Sequence, residues 1–345
     1  MPLKMKKKTT IKINFKDFWE NFDPKNNFFT NILRKKYDVE ISDKPDYLFY
    51  SVYPETISKK DLSKKGDFIR SISPELYIFA RKLYVKFTNF GKSKKLLIPR
   101  GDFVKIFYTG ENVKPNMKEC DWAFSSRTEE EVNHPKHMNL PVYIFCSPSL
   151  KNFGIPNLRR KININKIKKE KTKFCNFLYS QEILKRNDFF KRLSKYKKID
   201  SPGRCMNNIP QISNSSPRDS RVSPDWVKTK LDFIKKYKFT IAFENNKNSY
   251  TTEKLTHPLL VNSIPIYFGN KNVGKDFNTK SFINYNDFKN MKEFIEHIIK
   301  VDQDDNLYKE YLKQPIYLTK ETYEFNRIDR IEKRLKEIIE SKNGK

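Results

Sequence analysis

The chain contains no run approaching the roughly 20 consecutive apolar residues that a membrane-crossing helix needs, so no transmembrane segment is expected. Its opening, MPLKMKKKTT, is basic but leads into no apolar stretch, which argues against a signal peptide. Cysteine is sparse: Cys120, Cys146, Cys175 and Cys205, with no CxxC pair among them. That excludes a dense disulfide framework and a cysteine zinc site, and fits free thiols in a reducing compartment. A cytoplasmic location is therefore expected. Histidine is equally scarce. Only His134 and His137 stand three apart, and in so polar a stretch they are expected at the surface. Asp302-Gln303-Asp304-Asp305 superficially matches an Asp-x-Asp metal motif but follows a helical pattern, and is read as a solvated acidic loop. No metal site and no required cofactor are expected.

Acidic residues are also in deficit: 70 Lys and Arg against 41 Asp and Glu, 70 − 41 = +29. Such a surplus attracts anions, whether nucleic acid, an anionic membrane or a nucleotide-sugar. The lysines are spread along the chain, and no basic cluster interleaved with aromatics or known recognition motif appears, so no specific nucleic-acid partner is expected. A hydrophobic content of 37% and an aromatic content of 14% are enough for real cores and exclude a disordered composition.

At 345 residues the length suggests about two domains of ~150 residues each. Strand patterns at Lys12–Phe15, Val39–Ile41, Tyr47–Val52, Phe103–Tyr108 and Trp122–Ser125 surround a helical pattern at Asn27–Tyr37. Leu76–Phe87 is aromatic-rich and ambiguous. Residues 151–171 are basic and proline-punctuated, and read as a linker. A second alternation follows: strands at Lys173–Tyr179, Phe239–Phe243 and Ile264–Phe268, helices at Gln181–Tyr196, Trp226–Tyr237, Glu253–Val261 and Asn290–Lys300. Alternating strands and helices predict α/β layers built on mainly parallel sheets. Two such halves, residues 1–150 and 172–325, imply a cleft, with ligands at the carboxyl ends of the strands. From Arg327 to Ser341, Ile328, Ile331, Leu335, Ile338 and Ile339 form one stripe opposite a Lys/Glu-rich face. Residues 326–345 are thus an amphipathic helix, for docking on the protein body or, aided by the basic charge, for weak peripheral contact with an anionic membrane.

The segment from Phe239 to Phe288 carries the chemistry. A strand ends at Glu244-Asn245, and a polar loop leads to Tyr250-Thr251-Thr252-Glu253-Lys254, which opens a helix. A helix start offers free N–H groups and a positive dipole end, Lys254 adds a full charge, and Glu253 could accept from ribose hydroxyls. The pattern describes a pocket for a nucleotide diphosphate. Pro258 costs about 3 kcal/mol in a helix interior, so it is expected to move the regular start toward His257 or to kink the helix.

The same words resemble the signature of the α-1,3/4-fucosyltransferases, glycosyltransferase family 10. Phe243-Glu244-Asn245, Tyr250-Thr251-Thr252-Glu253-Lys254, Pro265-Ile266-Tyr267-Phe268-Gly269 and Asp276-Phe277-Asn278-Thr279-Lys280-Ser281-Phe282-Ile283 follow that signature in order. Phe174-Cys175-Asn176-Phe177, Lys185-Arg186-Asn187, Ile199-Asp200-Ser201-Pro202-Gly203 and Thr109-Gly110-Glu111-Asn112 are similar to further family elements. The resemblance implies a GT-B fold, with two Rossmann-like domains facing across a cleft, the first for acceptor and the second for GDP-fucose. It implies an inverting transfer of fucose from GDP-fucose to a glycan hydroxyl. Glu111 matches the catalytic base, at a strand end where Gly110 would let ligand and backbone approach. Arg186 and Lys254 match phosphate-binding positions, and Glu253 the ribose partner. Asn245 and Tyr250 would line the diphosphate and fucose site, with Glu244 in contact with the sugar. A different GT-B transferase, acting on another nucleotide-sugar, is the alternative.

Overall fold

The computed structural model describes residues 8–19, 22–53, 99–145, 163–212, 224–245, 250–317 and 324–343. Leu76–Phe87, Cys146 and the expected linker up to residue 162 lie outside the described residues.

Eleven strands are present among the described residues, and they form two sheets. The first half supplies β1 (Thr10–Lys16), β2 (Asp38–Ile41), β3 (Tyr47–Tyr50), β4 (Val104–Thr109), β5 (Trp122–Ser125) and β6 (His137–Asn139). The second supplies β7 (Lys173–Asn176), β8 (Ile199–Asp200), β9 (Tyr237–Phe243), β10 (Ile264–Phe268) and β11 (Ile283–Asn284). Their spatial orders are β2-β1-β3-β4-β5-β6 and β11-β10-β9-β7-β8. Every pairing is parallel. The reason is legible in the strands themselves. YLFY, WAFS and IPIYF are buried at every residue, as strands covered on both faces must be, and parallel sheets are covered on both faces by their crossovers. The α/β, GT-B-type architecture expected from the sequence is the one observed.

The C-terminal stripe decides how the chain closes. The helix Glu324–Asn343 buries Ile328, Ile331, Leu335, Ile338 and Ile339 in the core of the first sheet. The Tyr47 hydroxyl donates to the Ile339 carbonyl at 2.7 Å, and Lys342 pairs with Asp46 at 2.8 Å. The same core takes in Ala242, Leu255, Leu259, Tyr267 and Phe277 from the second half, so the two halves share one apolar seam. The stripe therefore docks on the body, which leaves it unavailable to a lipid surface. No helix among the described residues is long and apolar enough to cross a membrane.

Three sequence expectations are corrected. The end of the expected linker is ordered: Ile164–Glu170 is a helix capped by the Asn163 side chain, Ile167 enters the second core, and Lys171 Nζ donates to the Lys235 and Val261 carbonyls, each at 2.7 Å. Its lysine-rich composition hid a single apolar anchor and a buried amine. The acidic stretch is no solvated loop at Asp302, whose side chain is 2% exposed and paired with Lys197 and Lys238. His137 lies in β6, buried, with Nε2 2.9 Å from Ser125 Oγ. Burial pulls its pKa down to about 4.

Leu335 is 1% exposed at the centre of the stripe. Leu335→Ala is expected to lower stability by about 2–5 kcal/mol, read from urea unfolding; a loss under ~0.5 kcal/mol would mean the helix is not part of the core.

Candidate functional site

Strand β9 ends at Phe243, and the next residue turns inward. The Glu244 N–H donates to the Phe268 carbonyl at 2.7 Å, tying the end of β9 to the end of β10. The Glu244 side chain is fully enclosed. Its oxygens accept from the Thr252 N–H at 2.7 Å, the Thr252 hydroxyl at 2.9 Å and Lys254 Nζ at 3.1 Å. Gly269 makes room for it, because a Cβ there would stand 2.6 Å from Glu244 Cγ. Glu244 thus holds Thr252 and Lys254, and both of its oxygens are already engaged.

Thr252 is extended and caps the helix, its side-chain oxygen accepting from the Lys254 N–H at 3.3 Å. The helix Glu253–Leu260 begins at Glu253 despite Pro258, so the start does not move toward His257. The cap and the burial of Leu255 and Leu259 hold it, and the Val261 and Ser263 N–H groups close its end on the Pro258 carbonyl. Burial acts to lower the Lys254 pKa, but the charges of Glu244 and Glu253 overcome it and keep the amine above the ordinary lysine range. For Glu253 burial acts upward, and Lys254, Lys230 and His257 overcome it, pulling the carboxyl down to about 2. Both groups are therefore charged at neutral pH. His257, one helical turn on, is buried with neither ring nitrogen bonded, and burial pushes its pKa down to about 3.

Arg186 sits in the first turn of the helix Leu184–Leu193 and is 2% exposed. Its guanidinium lies 3.7 Å above the Tyr179 ring, donates to Asn245 Oδ1 at 3.3 Å and also donates to the Gln181 carbonyl. Tyr179 in turn pins the end of β9: its hydroxyl accepts from the Phe243 N–H at 2.6 Å and donates to the Ile241 carbonyl at 3.0 Å. Asn245 is exposed beside it.

The first sheet contributes Glu111, one residue past Gly110 at the end of β4. The Glu111 N–H donates to Thr109 Oγ1 at 3.1 Å, and its carbonyl accepts from Ser126 Oγ at 2.9 Å. The carboxylate is exposed, and Oε1 accepts from the Tyr53 hydroxyl at 2.7 Å. At Gly110 a Cβ would meet Val142 Cγ2 at 2.5 Å. The close approach expected there of a ligand is made by Val142.

Tyr250 closes the arrangement. It is 9% exposed, and its phenol pKa is raised first by burial and then by the charges of Glu111, Glu244 and Glu253. Charges from both halves thus act on one phenol. A polar cavity runs along the same seam, lined in part by Ser126, Thr128, Tyr143, Thr251, Asn270 and Asp276, with Tyr143 bonded to Asp276 across it at 3.3 Å. On the second sheet the expected residues come together, Lys254 on Glu244 and Arg186 on Asn245 with the ionised Glu253 beside Lys254; on the first, the exposed carboxylate of Glu111 lies just beyond β4, and its charge acts on Tyr250. Such a site can bind a multiply charged anion and remove a proton beside it. Sequence reading missed Tyr53 and Tyr179, whose neighbours come from strands distant in the chain. Among the described residues, no group of three or more His, Cys, Asp or Glu is gathered as a metal ion would require.

Comparison with known proteins identifies the family. Residues 167–337 match the model for glycosyltransferase family 10 (fucosyltransferase), C-terminal part. Residues 13–65 and 68–146 match the α-(1,3)-fucosyltransferase FucT N-terminal domain. A putative fucosyltransferase of Acanthamoeba polyphaga mimivirus is 35% identical over 223 residues, 64% of this chain and 34% of that protein. The α-(1,3)-fucosyltransferase FucT of Helicobacter pylori is 27% identical over 250 residues, 64% of this chain and 49% of that one. The chain thus spans a third to a half of the length of these two relatives. A crystal structure of an α1,3-fucosyltransferase superposes with a TM-score of 0.66 at 22% identity, covering 96% of this chain and 91% of the other, and shares the fold. With both halves matched in order, the chain belongs to glycosyltransferase family 10.

Proposed function

We propose that the chain is an inverting fucosyltransferase that moves L-fucose from GDP-fucose to a sugar hydroxyl. The acceptor would be O3 of GlcNAc or Glc in a lactosamine-type glycan, giving an α-1,3 (or α-1,4) fucoside. The observation that carries this reading is the pair of cations held beside the end of β9, Lys254 by Glu244 and Arg186 by Tyr179 and Asn245. Relatives named α-(1,3)-fucosyltransferase and a solved α1,3-fucosyltransferase with GDP-fucose support the choice of donor.

The reaction is a single displacement. The acceptor oxygen attacks C1 of fucose while its proton passes to Glu111, and the bond from C1 to the β-phosphate oxygen breaks on the opposite face, which inverts C1. Negative charge grows on the departing GDP, where Arg186 and Lys254 stabilise it. Both cations are already fixed, Arg186 by Tyr179 and Lys254 by Glu244, so little reorganisation is needed as the charge develops. Glu253, ionised at neutral pH, accepts from the ribose hydroxyls. Asn245 and Tyr250 line the diphosphate and fucose. Glu244 serves through Lys254 rather than by touching the sugar. The first sheet takes the acceptor and the second the donor.

Glu111→Gln is expected to lower turnover by ~100-fold or more with GDP binding unchanged by calorimetry; near-normal turnover removes Glu111 from this role.

Arg186→Ala is expected to raise the KM for GDP-fucose and lower kcat, because the β-phosphate charge exists in the ground state and grows in the transition state. Lys254→Ala should do the same and also lower the Tm, since it strands Glu244 as an unpaired buried charge. The double variant Glu244→Gln/Lys254→Met should recover the Tm but not the activity. Wild-type donor kinetics in both single variants would place the phosphate site elsewhere.

Because the two cations supply the leaving-group stabilisation, transfer is expected to persist in EDTA. Activity abolished by chelator and restored by magnesium or manganese is the contrary result.

A further inference from the structure

Glu111 is an exposed member of the site, carried on a loop just beyond β4. A glutamate in that setting has three side-chain torsions to choose from, and ordering a long side chain of this kind costs conformational entropy. A base that samples several directions seldom meets the acceptor hydroxyl in line with C1. Something must hold it.

Tyr53 does so in the structure. Its hydroxyl donates to Oε1 of Glu111 at 2.7 Å. Tyr53 is itself built into the scaffold. The β1–β3 ladder continues past the end of β3: the Ser51 N–H donates to the Lys16 carbonyl at 3.1 Å and the Tyr53 N–H to the Asp17 carbonyl at 2.8 Å. Asp17 adopts a left-handed φ of 57°, which turns the chain after β1. Trp19, two residues on, then meets the Tyr53 ring edge-on, centroids 6.3 Å apart at 87°. A main-chain bond and a ring contact thus fix the phenol from two sides.

We propose that Tyr53 is a positioning residue for the transfer, its phenol engaging one carboxylate oxygen of Glu111 so that the other faces the acceptor hydroxyl. The inference rests on the reading of Glu111 as the base. The proton balance is simple. The acceptor proton passes to Oε2, Oε1 keeps the hydrogen bond from Tyr53, and the phenol gains and loses nothing. Tyr53 acts through Glu111 and does not touch the reacting atoms.

A double-mutant cycle tests this, with GDP-fucose as donor and N-acetyllactosamine as acceptor. Tyr53→Phe keeps the ring and its contact with Trp19 but removes the donor. Glu111→Asp keeps a carboxylate but withdraws it by one carbon–carbon bond, about 1.5 Å, out of reach of the phenol. In the wild-type background Tyr53→Phe is expected to lower kcat about tenfold, within the range for a misoriented catalytic group, with Tm and the KM for GDP-fucose unchanged. In the Glu111→Asp background the same substitution should change kcat less than about twofold, because the contact is already gone. An equal loss in both backgrounds, a loss accompanied by a lower Tm, or wild-type kcat in Tyr53→Phe overturns the proposal. If Glu111→Gln is inactive but the cycle is additive, Tyr53 alone is misassigned; if Glu111→Gln turns over normally, the base assignment itself fails.

Discussion

Uniform strand direction is the constraint from which this molecule follows. Every strand pairing in both sheets is parallel. A parallel neighbour can be reached only by a crossover that carries the chain back to the starting edge. All carboxyl ends within one sheet therefore lie along one rim. The segment after β3 brings Tyr53 there, the segment after β4 brings Glu111 and the segment after β5 brings Ser126, which bonds to the Glu111 carbonyl. On the second sheet the same logic gathers Arg186 after β7, Glu244 and Tyr250 after β9, and Gly269 after β10. The apolar seam and the returning C-terminal helix hold the two rims against each other.

That seam frees the site to be polar. Leu255 and Leu259 point from the Glu253–Leu260 helix into the shared core, while Lys254 turns the other way onto Glu244. A buried carboxylate alone would be very costly. Here it is offset by an amine, a hydroxyl and a backbone N–H at once. The result is a cation whose position is set before any ligand arrives. Arg186 reaches the same condition differently, through the face of Tyr179 and the Gln181 carbonyl. Two cations of unlike chemistry are thus presented from two different crossovers.

Much of this was readable in the chain. Runs such as YLFY, WAFS and IPIYF read as strands, and the spacing from Ile328 to Ile339 as one face of a helix, and both are observed. Thr252 before Glu253 was a cap signal that outweighed Pro258, because the cap and two buried leucines act on the same short helix. The reading failed where a few apolar or charged atoms were buried in polar surroundings. Ile167 and Lys171 in a lysine-rich stretch, Asp302 in an acidic one and His137 in a polar one all looked solvated. Local composition reports the average environment, and each of these side chains finds its partner outside its own local stretch.

The sequence by itself determined the α/β class, the parallel sheets and the family, because each of these is written in local pattern: runs, periods, caps and short words read in order. Only the tertiary structure decided what the site residues touch. It seated the C-terminal stripe on the first sheet, took both oxygens of Glu244 for Thr252 and Lys254, filled the space at Gly110 with Val142, and set Tyr53 beside Glu111 across 58 residues of chain. Those outcomes depend on distances between segments that meet only when the sheets have formed, and no local pattern encodes a distance of that kind.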